Sequence, residues 1–448
     1  MNITNKKVSI IGAARSGIGA AKLVKKLGGI PFVSDKANKE IIAGSIEILK
    51  QNEIEFETGQ YSDKIFDCDL LVVSPGVPSD AEVLKIAQQR NLRIISEIEF
   101  AWSVCKGKLI AITGTNGKTT TTSLCSHVFN NCGIKSYIAG NIGTAFSEIA
   151  LNVQEDEFVV LEVSSFQLDF IDDFKPKIAM ILNITPDHLN RYQNNFDNYI
   201  QSKLRIYKNQ DENDFLILNR DDSTLNKAFT GCKSNLSFFS LKESLIDGAF
   251  LQNDTIVFKE NGKLEFSCKL DDIYLKGEHN HANAMAVINA AKLIDLDNNK
   301  IIEALKSFKG IEHRLEFVRE IDGVKYINDS KATNVDSVWY ALKSFDEPIF
   351  LILGGQDKGN DYNKIKDLAV EKVEKIYAIG ESAEKIFNFF HNLVRVEIKL
   401  NMADAVLTAN MEARENEIVL LSPACASFDM FENYEHRGKV FKEAVNRL

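Results

Sequence analysis

Short apolar, β-branched runs alternate with stretches of helical period almost from end to end of this chain. VSIIG, IPFVSD, DLLVVS and LRIISE come first. KLIAITGT, KSYIAG, FVVLEVSS, KIAMILNIT and FLILN follow, and then KYINDS, PIFLILGG, KIYAIG, VEIKL and EIVLLSP. Runs with no polar alternation belong to strands covered on both faces. Parallel strands require a crossover, usually helical, between each pair. The pattern therefore predicts an α/β chain built from βα units around parallel sheets. Between about Phe238 and Leu270 the rhythm changes to short alternating strands with an Asn261-Gly262 turn, which predicts small β-hairpins flanking the central sheet. Helical stretches are predicted from Gly17 to Leu27, from His281 to Ile294 and from Lys300 to Phe308. Breaks near Phe100 and Gly310 divide the chain into residues 1–100, 101–310 and 311–448. Three domains also agree with 448 residues at roughly 150 per domain.

Composition narrows the class. Lys plus Arg number 53 against 63 Asp plus Glu, a net charge of −10, so there is no basic footprint for a nucleic acid. An apolar share of 45% with 26% charged residues fits a folded globular chain. No run approaches the roughly 18 apolar residues of a membrane span. Met1 to Lys7 leads straight into an apolar strand without a leader pattern. The seven cysteines are scattered without CxxC spacing, against a disulfide framework or a structural zinc site. The expectation is a cytoplasmic protein that neither enters a membrane nor binds nucleic acid.

The strongest local signal is Gly114-Thr115-Asn116-Gly117-Lys118-Thr119-Thr120, between a β-branched strand and a helix. Glycines let backbone approach a phosphate, and the helix start offers free N–H groups to it. Lys118 would reach the outer phosphates of a nucleotide and the Thr119 hydroxyl would ligate Mg²⁺. The spacing departs from a full P-loop, whose first glycine would fall at Ile112. A second glycine turn, Gly12 to Gly17, is followed by Asp35 at about the distance expected of a dinucleotide fingerprint, with Ala14 in place of its middle glycine. A nicotinamide site, another nucleotide's diphosphate and a purely structural turn all remain open there. Glu162 ends a strand and suits a metal beside the loop. His188 taken alone reads as a loop histidine, and Lys203 as a solvated helix lysine. Asn280 and Asn283 would serve equally as helix caps. Asp329, Lys331 and Thr333 follow KYIN, while Ser427 and Asp429 follow EIVLLSP, at strand ends where open sheets bind ligands.

Taken together and in order, GTNGKTT (114–120), GNIG (140–143), LEVSSFQL (161–168), NITPDHLNRY (183–192), SKLRIY (202–207), GEHNHANA (277–284), EHRLE (312–316), NDSKATN (328–334) and LLSPACASFDMF (420–431) resemble the Mur ligase family over essentially the whole chain. These are ATP-dependent amide-forming enzymes of peptidoglycan precursor synthesis. NDSKATN and SPACASFDMF look like the branch that adds D-glutamate. The resemblance implies a Rossmann-like first domain for the uridine-diphosphate substrate, a central P-loop domain for ATP and a Rossmann-like third domain for the amino acid. It further implies a monomer acting on UDP-MurNAc-L-Ala, D-glutamate and ATP.

The same resemblance implies roles. Gly114 to Thr120 would hold ATP, with Thr119 and Glu162 at one Mg²⁺. His188 and Lys203, the latter as a carbamate, would belong to a second Mg²⁺. Asn280 and Asn283 would lie near adenine, Asp329 near the nucleotide and Arg314 near the phosphates. Arg15, Ser16, Asp35 and Lys36 would line the uridine-diphosphate pocket, and Asn141 would hold the muramoyl part. Lys331, Thr333, Lys358, Ser427 and Phe428 would surround D-glutamate. Lys36-Ala37 stands where some relatives use Thr-Arg for uracil, and Gln356 where some have Asp. Competing readings are a sister muramoyl ligase, a folylpolyglutamate synthase-like ligase and a nicotinamide oxidoreductase built on Gly12 to Asp35.

Overall fold

The computed structural model describes residues 1–357 and 359–448. Its strands form three sheets. The first is fully parallel in the order Glu55–Thr58, Ile30–Asp35, Lys7–Ile11, Leu70–Val73, Ile94–Ser96. The order reverses direction between Lys7–Ile11 and Leu70–Val73, the place where open α/β sheets bind ligands. The second has nine strands: Lys263–Lys269, Thr255–Glu260, Gly248–Gln252, Asn235–Ser240, Phe215–Asn219, Ile178–Ile181, Lys108–Thr113, Phe158–Glu162, Ser136–Gly140. The third runs Glu316–Ile321, Val324–Asn328, Ile418–Leu421, Ile349–Gly354, Val373–Ile379, Arg395–Ile398. The central strands of each are buried on both faces, as their unbroken Val, Ile and Leu runs require. The described residues gather into two compact units, Met1–Tyr274 with Asn280–Phe308, and Leu275–His279 with Lys309–Leu448.

Two details differ from the sequence reading. The expected hairpins do not flank the central sheet but continue it: Gly248–Gln252 pairs parallel to Asn235–Ser240, and the last two strands then fold back antiparallel. Asn261 and Gly262 both have positive φ (51° and 76°), the twist that closes such a two-residue hairpin. The third sheet also gains an antiparallel edge strand, Glu316–Ile321. Its sequence EFVREI carries charges on an exposed edge, so no apolar run announces it. Among the described residues no helix is long and apolar enough to cross a membrane.

The first and second sheets sit in one unit, and two buried acids stitch the seam between them. The helix Glu97–Trp102 starts at Ser96, whose hydroxyl accepts from the Glu99 amide. Glu99 accepts three main-chain N–H groups from the far side, Asp172 (2.9 Å), Asp173 (3.1 Å) and Phe174 (2.8 Å). Glu97 accepts from the Ser147 amide at 2.7 Å. Complete burial pushes the Glu97 carboxyl upward. Gly19 belongs to the same junction: a Cβ there would stand 2.5 Å from the Ser147 hydroxyl, so the helix Arg15–Lys26 can approach only without a side chain at that point. Glu99→Ala leaves one buried and two part-buried amides without their acceptor and is expected to lower the unfolding free energy by about 2 kcal/mol. Urea titration against the parent chain checks it, and a loss below about 1 kcal/mol would mean that water replaces the carboxylate.

Candidate active site

The strand Lys108–Thr113 delivers the chain into the loop Gly114–Gly117, and the helix Lys118–Asn131 leaves it. Gly117 caps that helix at φ 85°, and a Cβ there would lie 2.6 Å from Asn283 Oδ1. Glycine is thus required twice, by conformation and by the buried Asn283 packed on it. Asn183 braces the loop from the neighbouring strand end. Its Oδ1 accepts from the amides of Thr115 (3.1 Å) and Asn116 (2.8 Å), and its Nδ2 donates to Asn116 O (3.0 Å). Lys118 Nζ folds back onto the carbonyls of Gly114 (2.9 Å) and Thr115 (2.8 Å), so a cation sits in the anion-binding turn. Thr119 and Thr120 are buried in the first helical turn.

Glu162 ends the strand Phe158–Glu162 and is 2% exposed. Its Oε1 accepts from Asn141 Nδ2 at 2.8 Å, while Oε2 is buried with no hydrogen-bond partner. A buried orphan carboxylate oxygen is what a hard cation would satisfy. Lys203, in the helix Phe196–Leu204, is no solvated lysine: it is 1% exposed. Its Nζ donates to Gly114 O (2.7 Å) and lies 4.7 Å from the Tyr199 ring centre. Burial, helped by the Lys118 charge, pushes its pKa well below the usual lysine range, which favours the neutral, nucleophilic amine. His188, at φ 51°, is half exposed, with Asp187 at 3.6 Å and the Phe166 ring edge-on at 5.3 Å. The described acids, histidines and cysteines form one three-ligand cluster, Glu312, His313 and Glu316, and there Lys442 already pairs with both glutamates. An Mg²⁺ held beside the loop would take oxygens from phosphates as well as from the protein.

Beside this loop, and within the same unit, a cleft of about 1060 Å³ gathers Arg15, Ser16, Asp35, Lys36 and Asn141. Arg15 begins its helix and donates to the carbonyls of Gly143 (2.6 Å) and Asn141 (3.1 Å). Asn141 therefore meets Arg15 through its backbone and Glu162 through its side chain. Asn283 lies against the glycine loop; Asn280 lies on the same helix, Glu278–Leu293.

The second unit carries the remaining candidates except Lys358, which lies outside the described residues. Asp329 is 4% exposed, accepts from the Ser422 hydroxyl (2.8 Å) and the Leu315 amide (3.3 Å), and has its carboxyl pushed up to about 7 by burial, against the pull of Arg314. Lys331 lies 5.4 Å from the Tyr434 ring centre. Thr333 is half-buried and its amide turns back to Lys331 O at 2.9 Å. Ser427 is buried and Phe428 is 68% exposed. The Arg314 Nε is buried without a partner.

Three family descriptions match the chain: MurD N-terminal domain over residues 7–83, Mur ligase middle domain over 112–291, and Mur ligase glutamate ligase domain over 313–425. The UDP-N-acetylmuramoylalanine–D-glutamate ligase of Chloroherpeton thalassium is 44% identical, with 100% of this chain and 99% of that protein covered. The protein of that name from Salinibacter ruber is 41% identical, with 100% and 99% covered. The chain belongs to the Mur ligase family. The fold agrees with solved Mur ligases. The UDP-N-acetylmuramate-alanine ligase of Thermotoga maritima superposes with a TM-score of 0.63 at 20% identity, covering 99% of each chain. The MurF ligase of Thermotoga maritima, solved in complex with ADP, gives 0.61 at 16% identity, covering 93% of this chain and 95% of that one.

Two arginines, one in each unit, brace candidate residues though the sequence reading gave them no role. Arg191 lies 4.3 Å from the Phe166 ring centre and donates to the carbonyls of Pro75 (3.2 Å) and Val77 (2.9 Å), bracing the cleft wall. Arg437, 0% exposed, donates to Ser330 Oγ and O and to the carbonyls of Cys425 and Ala426, tying NDSKATN to SPACASFDMF. Arg437 lies outside every quoted motif, and Arg191 lies within NITPDHLNRY without a role of its own.

Asp329 sets a pH dependence. Below about pH 4 its carboxyl is protonated folded and unfolded alike. From there to about 7 the folded chain keeps a proton that the unfolded chain has lost, so this contribution to stability declines as pH rises and is gone above about 7. Asp329→Asn is expected to gain on the parent chain by a few kcal/mol between pH 4 and 8, at about 1.4 kcal/mol per unit. Urea unfolding of both chains across that range measures it, and parallel curves would refute it.

Proposed function

We propose that this Mur ligase joins D-glutamate to UDP-N-acetylmuramoyl-L-alanine at the expense of ATP, in peptidoglycan precursor synthesis. One observation carries the reading. Arg15, Asn141 and Glu162 form a continuous chain of hydrogen bonds from the cleft to the orphan carboxylate of the glycine-loop site. A carboxyl-bearing nucleotide substrate in the cleft would present its acid to the γ-phosphate. The full-length relatives named as D-glutamate ligases support the choice of amino acid.

Residues 1–100 would bind the uridine-diphosphate substrate, 101–310 ATP and 311–448 the amino acid. In the first step the substrate carboxylate attacks the ATP γ-phosphate, giving an acyl phosphate and ADP. The D-glutamate amine then adds to the acyl carbon, and the tetrahedral intermediate expels phosphate. Two anions must meet in the first step, so Lys118 would swing from its loop carbonyls to the phosphates, and the loop amides would hold the charge that develops. Asn283 would stay packed on Gly117, with Asn280 toward adenine. Arg314 would approach the phosphates, and Asp329 the nucleotide. Thr119 and Glu162 would hold one Mg²⁺, and His188 with carbamylated Lys203 a second, which together supply positive charge to the phosphates. Lys203 suits that modification because its neutral amine can add CO₂. Lys331, Thr333, Lys358, Ser427 and Phe428 would receive D-glutamate, whose two carboxylates call for cations and hydroxyls. Gly12 to Gly17 would take the substrate diphosphate rather than a nicotinamide. The protein would work as a cytoplasmic monomer.

Phosphate release from ATP, assayed with UDP-MurNAc-L-Ala and a panel of D- and L-amino acids, tests the reading. D-glutamate is expected to stimulate turnover at least about a hundredfold over L-glutamate or D-alanine, a specificity difference near 2.7 kcal/mol. Equal stimulation by another amino acid would reassign the chain to a sister reaction.

Lys203→Ala is expected to lose at least about 100-fold in kcat, a typical loss for one electrostatic stabiliser, with partial rescue by a short-chain carboxylic acid. Full activity with a plain amine at Lys203, seen by mass spectrometry in bicarbonate, would remove the carbamate from the mechanism.

A further inference from the structure

Two aromatic side chains line the cleft and the reaction scheme uses neither: Phe166, whose ring already meets Arg191 and stacks on Tyr192, and Tyr61. Tyr61 lines the cleft beside Asp35 and Lys36. The ring is half-buried and packs against the core cluster that contains Phe32 and Ile65, so its body is rooted while the cleft borders the rest. Burial and the neighbouring Asp35 charge both push its phenol upward, in keeping with that position.

The segment bearing Tyr61 is pinned from both sides. Glu57, at the end of the strand Glu55–Thr58, accepts from the Ser34 hydroxyl (2.6 Å) and from the amide and hydroxyl of Ser62 (3.0 Å for the amide). The Gly59 amide donates to the carbonyls of Asp35 (2.9 Å) and Ala37 (3.0 Å). A ring on so short and tied a segment loses little further freedom when a ligand meets it.

Topology says which part of a nucleotide arrives there. The diphosphate belongs at the start of the helix Arg15–Lys26, where the strand order reverses. The acid that ends the second strand of such a βαβ unit lies toward the ribose, and Asp35 holds that place, so the nucleoside is expected toward Asp35 and Tyr61. Both Asp35 oxygens are already engaged, by the amides of Ala13 (2.6 Å) and Ala37 (2.8 Å), so this acid fastens the turn. The side chains of Lys36 and Ala37 offer no planar group. A pyrimidine stacks on a flat ring, and Tyr61 is the aromatic side chain that lines the cleft beside Asp35 and Lys36.

We infer that Tyr61 is the stacking platform for the pyrimidine base of the uridine-diphosphate substrate, and so a specificity residue of the cleft. The inference rests on the uridine-diphosphate reading of that cleft. Calorimetric titration of the full chain with UDP and with 5,6-dihydro-UDP, whose base is neither planar nor aromatic, separates the two. The parent chain and Tyr61→Phe are expected to bind UDP alike and to prefer it over the dihydro analogue by at least about fivefold. Tyr61→Leu keeps apolar bulk against the core but has no ring face. It is expected to weaken UDP about tenfold, as loss of one base–aromatic stack does, and to bind the two nucleotides equally. Unchanged UDP affinity in Tyr61→Leu, or a loss in Tyr61→Phe as large as in Tyr61→Leu, overturns the platform. A parent chain that ignores UDP altogether overturns the cleft reading itself.

Discussion

A single side-chain hydrogen bond, from the Asn141 amide to the Glu162 carboxylate at 2.8 Å, ties the chemistry of this chain together. Asn141 reaches the same carboxylate's residue twice, since its main-chain N–H also donates to Glu162 O at 2.9 Å. The strand Phe158–Glu162 thereby fixes the GNIG turn, and that turn supplies the carbonyls on which Arg15 lands. With one carboxylate oxygen bound, the acid is oriented and its second oxygen is left for a cation. Were Glu162 fully satisfied within the protein, it would be inert; were it fully free, it would not remain buried.

The glycine loop shows the same economy of partners. Lys118 and Lys203 both direct ammonium groups at the carbonyl of Gly114. Burial first, and the neighbouring Lys118 charge second, push Lys203 toward the neutral form. A polar side chain that looks like solvated helix decoration in sequence is thus, in its folded setting, a buried amine biased toward its neutral form.

What the sequence made legible follows from where its signals are local. The glycine loop, Asp35 and the parallel strands all lie in patterns a few residues long, the family resemblance added Asn141, and the folded chain brings Arg15, Ser16, Asp35, Lys36 and Asn141 into one cleft. The family resemblance added Lys203, whose burial no helical pattern reveals. Asn183, Arg191 and Arg437 stayed invisible because each acts on backbone carbonyls or amides far away in sequence: Arg437 meets Ser330 across 107 residues and Arg191 meets Val77 across 114. The edge strand Glu316–Ile321 and the extension of the central sheet were missed for a related reason. Half-exposed strands carry mixed sequences, and their pairing is decided by what lies alongside.

The seam acids also bear on how the chain is made. Glu99 leaves the ribosome well before its amide partners, which lie 73 to 75 residues later. At synthesis rates of about 5–20 residues per second, the gap is roughly 4 to 15 s. Through that interval the first sheet can pair its own strands, yet the helix Glu97–Trp102 still has its carboxylates in water. Completion of the amino-terminal lobe therefore waits on the nascent central sheet. The order of translation makes the second lobe the closing half of the first.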